Sequence, residues 1–80
     1  MQIIYSQNRE YVINFKFVFG IRIHKTENND WAIIVGIDKH LDILLGTYNN
    51  ENKVKRIRSD LIKYFTENES GTFVMPEEYN

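Results

Sequence analysis

The feature that most restricts the fold is an alternation of apolar and polar residues near the start of the chain. From residue 11 to residue 23 every odd-numbered residue is apolar. Because successive side chains of a β-strand point to opposite faces, a period of two predicts extended structure with one apolar face. The apolar set consists of Tyr11, Ile13, Phe15, Phe17, Phe19, Ile21 and Ile23. We expect Phe15, Phe17 and Phe19 to belong to the core, since aromatic rings bury much area in a thin core.

This alternating segment is too long for one straight strand. At about 3.3 Å per residue it would span roughly 43 Å, whereas a domain of this length has a radius of gyration of about 12 Å. We therefore predict a break between Lys16 and Gly20, with Gly20 suited to a bulge or kink.

Further short apolar segments follow between polar connections. Residues 2–6 favour a short first strand, and residues 25–30 favour a hairpin loop. Strands are predicted over residues 31–37 and 41–48, joined tightly by residues 38–40. This spacing favours an antiparallel meander.

The period changes from two to between three and four after residue 50. Asn49 or Asn50 can cap a helix over residues 51–67. Its apolar stripe consists of Val54, Ile57, Leu61, Tyr64 and Phe65. Ser70 and Gly71 end the helix. Residues 72–75 are then extended, and because Pro76 interrupts a ladder, they form an edge strand or a packed tail.

These elements predict one α+β domain over residues 1–80. The expected architecture is a curved antiparallel sheet of four to five strands, packed by one C-terminal helix and followed by a short extended segment. The second face of the sheet is not cleanly polar, since it is expected to carry Ile4, Val12, Val18, Ile34 and Leu44. Either closure into a partial barrel or a second subunit, as in a homodimer, would cover these residues.

Composition restricts the chemistry. The 80 residues include no cysteine, which excludes disulfides and thiolate metal sites, and the net charge of −1 gives no overall attraction to nucleic acid or membranes. We expect a cytoplasmic protein, because no secretion signal or membrane span is recognised.

A family resemblance rests on the C-terminal half. A strand ending in Leu45-Gly46-Thr47-Tyr48, an amphipathic helix and the segment Phe73-Val74-Met75-Pro76-Glu77-Glu78 succeed one another. This arrangement is similar to a group of short uncharacterised proteins of low-GC Gram-positive bacteria and their phages. The resemblance implies a sheet-plus-helix fold and a prophage or mobile-element setting, and it implies no activity.

No motif predicts catalysis. Asp38, His40 and Asp42 alternate around a turn and could touch a divalent cation, but a solvated turn explains the same pattern. The chain has no nucleophile elbow and no phosphate-binding glycine loop. We therefore expect no enzyme activity, no cofactor, no bound metal and no small-molecule substrate.

The helix carries basic residues in its first three turns and acidic residues at its end. This order opposes the helix dipole. Contact with phosphate or with an acidic partner would explain it, and so would a solvated face. The basic residues are Lys53, Lys55, Arg56, Arg58 and Lys63.

Three functions follow in order of preference. The first is a non-enzymatic protein-interaction module that works through sheet edges or sheet faces, with residues 2–6 or residues 72–75 as the exposed edge. The second is a nucleic-acid-associated protein that uses the basic half of the helix. The third is a small metal-binding protein or hydrolase.

Overall fold

The computed structural model describes residues 1–77, so Glu78 of the C-terminal motif lies outside the described residues. The chain is α+β, as predicted, with one α-helix among these residues. The order is β1 (Gln2–Tyr5), β2 (Val12–Asn14), a 3₁₀ turn (Phe15–Phe17), β3 (Gly20–Lys25), β4 (Trp31–Gly36), β5 (Asp42–Tyr48), α1 (Glu51–Glu67) and β6 (Gly71–Val74).

The strands form two sheets of three. The first sheet has the order β2-β1-β6, in which β1 pairs antiparallel with β2 and parallel with β6. The second sheet is the antiparallel meander β3-β4-β5. The expectation of a single sheet of four to five strands is therefore corrected. The reason is the turn after β2, which separates β2 and β3 into different sheets.

That turn lies where the length argument placed a break. The side chain of Asn14 accepts a hydrogen bond from the Lys16 backbone N–H at 3.0 Å. The Val18 N–H donates to the Phe15 carbonyl at 3.0 Å, which closes the 3₁₀ turn. Of the two alternatives predicted for Gly20, a bulge or a kink, the bulge is wrong, because Gly20 begins β3 in regular register with Gly36. The ladder irregularity lies between Ile33 and Ile34 on the pairing of β4 with β5.

Helix α1 forms as its sequence predicts. Asn50, one of the two candidate caps, accepts a hydrogen bond from the Lys53 backbone N–H at 3.2 Å. The helix buries the expected stripe of apolar side chains against the sheets. The buried members are Val54, Ile57, Leu61 and Phe65.

One core joins the helix to both sheets. The first sheet and the residue after it contribute Ile4, Ile13 and Met75, and the second sheet contributes Ile33, Val35, Leu45 and Tyr48. The expectation that Ile4 lies on an outer face is wrong, because Ile4 is fully buried. Its register beside Ile13 and Phe73 places all three side chains on the face towards the helix.

The structure corrects the assignment of two phenylalanines to the core. The side chain of Phe17 is 57% exposed and that of Phe19 is 79% exposed. Phe15 is half-buried, with its ring 4.5 Å from that of Phe65. The parity of the alternating segment does not persist through the 3₁₀ turn, since β2 ends at Asn14 and β3 begins only at Gly20. Tyr11, before β2, is also exposed.

Several apolar residues remain exposed on outer surfaces. Val12 and Leu44 are exposed, whereas Val18 and Ile34 are half-buried. Within residues 1–77 no helix combines the length and the apolar character required to cross a bilayer.

Candidate functional site

A groove runs between the flank of α1 and the start of β3. It has a volume of about 570 Å³ and is open to solvent. The 3₁₀ turn and the residues after it form one end. Its walls consist of Phe15, Val18, Phe19, Gly20 and Ile21 on one side and Arg58, Ser59 and Ile62 on the helix, and they expose apolar and polar surface in similar amounts. We call this feature the β3–α1 groove.

Two large apolar side chains of this groove are exposed. Phe19 is exposed over most of its surface, and Ile62 is 47% exposed. Ile62 lies outside the buried stripe of the helix, and Phe19 comes just before β3. Exposed apolar side chains that border one depression are typical of a binding surface rather than of isolated surface residues.

Arg58 is the charged residue of the groove, and no carboxylate lines it. The side chain of Arg58 is half-buried. None of the ion pairs or hydrogen bonds found within residues 1–77 satisfies its guanidinium. The groove therefore combines several apolar side chains with one positive group, which suits a ligand that carries both apolar groups and an anionic group.

The groove borders a sheet edge. β3 is an outer strand of the second sheet, and among the described residues only β4 pairs with it. Every second residue of such a strand presents a backbone N–H and C=O to solvent. An extended chain laid along β3 would pair with these groups beside the groove.

The other outer strands are β5 of the second sheet and β2 and β6 of the first. The edge of β5 is occupied by Gln7, whose backbone N–H donates to the Leu45 carbonyl at 2.7 Å. The side-chain amide of Gln7 also bonds both backbone groups of Thr47. β6 is an outer strand, as one prediction for residues 72–75 stated, whereas β1 is the central strand and not an edge.

The structure does not gather the five basic helix residues into one patch. Lys53 and Arg56 border a depression at the start of the helix together with Asn49, Asn50 and Asn52. Lys55 forms an ion pair with Glu51 at 3.1 Å. Arg58 lies in the β3–α1 groove, and Lys63 is exposed outside it.

Asp38 and His40 lie in the connection between β4 and β5, and Asp42 begins β5. The Asp38 carboxylate accepts a hydrogen bond from the His40 backbone N–H at 2.7 Å. Asp42 pairs instead with Arg22, with 2.6 Å between Nη2 and Oδ2. Within residues 1–77 no three His, Asp or Glu side chains converge as metal ligands would.

A second apolar surface covers the outer side of the first sheet. Val12, Tyr5 and Val74 lie opposite one another on β2, β1 and β6. Val12 and Val74 are exposed, and the Arg9 guanidinium lies 5.4 Å from the centre of the Tyr5 ring.

Sequence reasoning missed the groove because neither the odd parity of the alternating segment nor the apolar stripe of the helix marks its exposed residues. Phe19 continues the odd parity of the alternating segment, and Ile62 is adjacent to the helix stripe without belonging to it. An apolar residue outside an amphipathic stripe is the one local signal that pointed to this surface.

No protein-family model matches this chain, and comparisons with characterised proteins and with solved structures give no significant match.

Proposed function

We propose that this chain is a small, non-enzymatic protein-interaction module of the cytoplasm that binds itself or another protein through sheet edges and exposed apolar surfaces. The observation that carries the proposal is the β3–α1 groove, whose exposed Phe19 and Ile62 lie beside β3, an outer strand with one edge open. Burying such apolar area against a partner is the main favourable term in protein association. A second subunit over the outer face of the first sheet is the self-associating form of the same proposal.

The biological setting is part of this proposal. The resemblance to short proteins of Gram-positive bacteria and their phages supports a prophage or mobile-element origin. The chain contains neither a nucleophile motif nor a cysteine, which is in keeping with a proposal that assigns it no chemistry of its own.

The test compares the wild-type chain with the variant Phe19→Ser. We expect sedimentation equilibrium at micromolar concentration to show a dimer, or affinity capture from host extract to retain a protein that is identified by mass spectrometry. The variant should weaken the retention of a captured protein, because it removes the most exposed aromatic ring of the groove, whereas a dimer formed over the outer face of the first sheet should weaken with Val12→Ser instead. Glu27→Gln, in the hairpin loop, is the control. A strict monomer that retains no protein, or retains the same proteins with Phe19→Ser, contradicts the proposal.

A second candidate function is contact with nucleic acid. The observation in its favour is the depression of about 380 Å³ at the start of α1, where Lys53 and Arg56 accompany three asparagines. Helix starts favour anions. Binding of a labelled single-stranded DNA should then weaken steeply between about 50 and 200 mM salt. It should disappear on charge reversal at Lys53, Arg56 and Lys63, and its persistence would remove this candidate.

A further inference from the structure

The edge of β3 and the β3–α1 groove form one continuous surface. Gly20 and Ile21 begin β3 and also line the groove. A Cβ atom built on Gly20 has no atom within 4 Å, so the backbone there is open to an approaching chain. Because side chains of an added strand alternate between faces, every second one would point into the groove over Ile62 and Phe19.

The charges at this surface are unbalanced. The groove contains Arg58, and β3 carries Arg22 and Lys25 outside the groove. Asp42 pairs with Arg22, but among residues 1–77 no acidic side chain pairs with Arg58. A ligand that covers Arg58 removes its guanidinium from water, which is unfavourable unless the ligand supplies a hydrogen-bonding anion.

A second copy of the chain fits this edge poorly. In a twofold dimer the same surface is used by both subunits. Two antiparallel β3 strands would bring Arg22 and Lys25 of one subunit close to the same basic residues of the other. Like charges opposite one another on neighbouring strands are destabilising. The edge therefore favours a different, acidic chain.

We propose that β3 and the β3–α1 groove bind an extended acidic segment of another protein, which adds to the second sheet as a further strand. Its alternate side chains are apolar and occupy the groove, and one carboxylate pairs with Arg58. The groove volume of about 570 Å³ lies within the range of roughly 300–1,000 Å³ of ligand pockets. The inference rests on the proposed interaction module, and it specifies which partner chemistry that module recognises.

The first test uses a phage-displayed library of random linear peptides selected on the immobilised full chain. We expect enriched peptides to combine alternating apolar residues with at least one Asp or Glu. Enrichment of basic or purely apolar peptides, or no enrichment, overturns the inference.

The second test uses the most enriched peptide as a synthetic probe. Arg58→Glu should weaken its binding by about tenfold or more, because a charge pair within an apolar groove becomes a repulsion. Ile62→Ser should weaken it as well. Lys63→Glu is the matched control, since it reverses a basic residue of the same helix outside the groove. Equal losses with Arg58→Glu and Lys63→Glu would indicate general charge attraction and overturn the inference.

The third test locates the peptide. Hydrogen exchange of the wild-type chain should slow at alternate backbone amides of β3 when the peptide is bound, as expected for an added strand. Protection at β6 or at the start of α1 instead overturns the inference. A dimer that forms through the outer face of the first sheet, with no peptide selected, removes this inference and leaves the interaction module standing.

Discussion

Gly71 begins β6 with a φ of 132°, a conformation that residues with side chains rarely adopt. A Cβ atom built there collides with the Tyr64 hydroxyl, which lies over the turn between the helix and the strand. The two effects act together, because the strained backbone cannot relax without moving the Tyr64 ring. We expect Gly71→Ala to lower the free energy of unfolding by about 1–3 kcal/mol, measured by urea denaturation.

Gly20→Ala is the matched control for this substitution. Gly20 begins β3, and its added Cβ meets no atom within 4 Å. Alanine reduces the conformational entropy of the unfolded chain at such a site, so a gain of up to about 1 kcal/mol is expected. A neutral Gly71→Ala, or a loss at Gly20 as large as that at Gly71, would contradict the geometry of the turn before β6.

Single residues show what the sequence can and cannot reveal. Ser70 and Gly71 predicted the end of the helix, because glycine punctuates helices locally. The contact of Gly71 with Tyr64 could not be predicted, since it depends on how β6 returns along the helix. Phe19 shows the same limit, because its parity is that of a core residue and its exposure depends on the preceding turn.

Gln7 protects an edge of the second sheet in place of a strand. Its side-chain oxygen accepts from the Thr47 N–H and its side-chain nitrogen donates to the Thr47 carbonyl, both at 2.9 Å. Its own backbone N–H bonds the Leu45 carbonyl. One residue thus satisfies backbone groups of β5 that would otherwise be available to a foreign strand.

Replacement of Gln7 by alanine should expose that edge. We expect Gln7→Ala to lower the free energy of unfolding by about 1–2 kcal/mol, since two hydrogen bonds to backbone groups are lost. Sedimentation velocity should also show association that increases with concentration. Asn28→Ala truncates an exposed amide in the hairpin loop and should change stability by no more than about 0.5 kcal/mol. Identical behaviour of the two variants would show that Gln7 does not protect β5.

The elements that the sequence predicted are those with local signals. Helix α1 and the meander β3-β4-β5 follow from periodicity and from polar turns between neighbours in the chain. The pairing of β1 with β6 joins Gln2 to Gly71, nearly the whole chain apart, in parallel orientation. No local pattern specifies such a pairing. Without it, the sequence predicted one sheet in place of the two sheets that the structure contains. The groove was missed for the same reason, because it lies where the two sheets separate.

The core contains side chains from the helix and from both sheets. Leu61 and Val54 of α1 are fully buried, and they share one cluster with Ile4 of the first sheet and Ile33 of the second. The apolar faces of both three-stranded sheets are buried in this shared cluster with the helix, and a small sheet depends on such burial for its stability. We therefore expect both sheets and the helix to unfold in one cooperative transition.

Ile4→Val tests this cooperativity, because the substitution is made in one sheet and unfolding is followed by a reporter in the other. Ile4 lies in the first sheet, whereas Trp31, the only tryptophan, lies in the second. Loss of one buried methylene should lower the free energy of unfolding by about 0.5–1.5 kcal/mol. Because the core is shared, Trp31 fluorescence and the far-ultraviolet circular dichroism of α1 should report the same decrease.

Val12→Ala is the control for Ile4→Val, because Val12 lies in the same sheet with 67% of its surface exposed. Its effect should stay within about 0.5 kcal/mol. If Trp31 fluorescence is unchanged by Ile4→Val while circular dichroism shifts, the two sheets unfold separately. That outcome would also bear on the β3–α1 groove, since Phe15 follows the first sheet and Ile21 belongs to the second. A groove built from both sheets keeps its shape only while they fold as one unit.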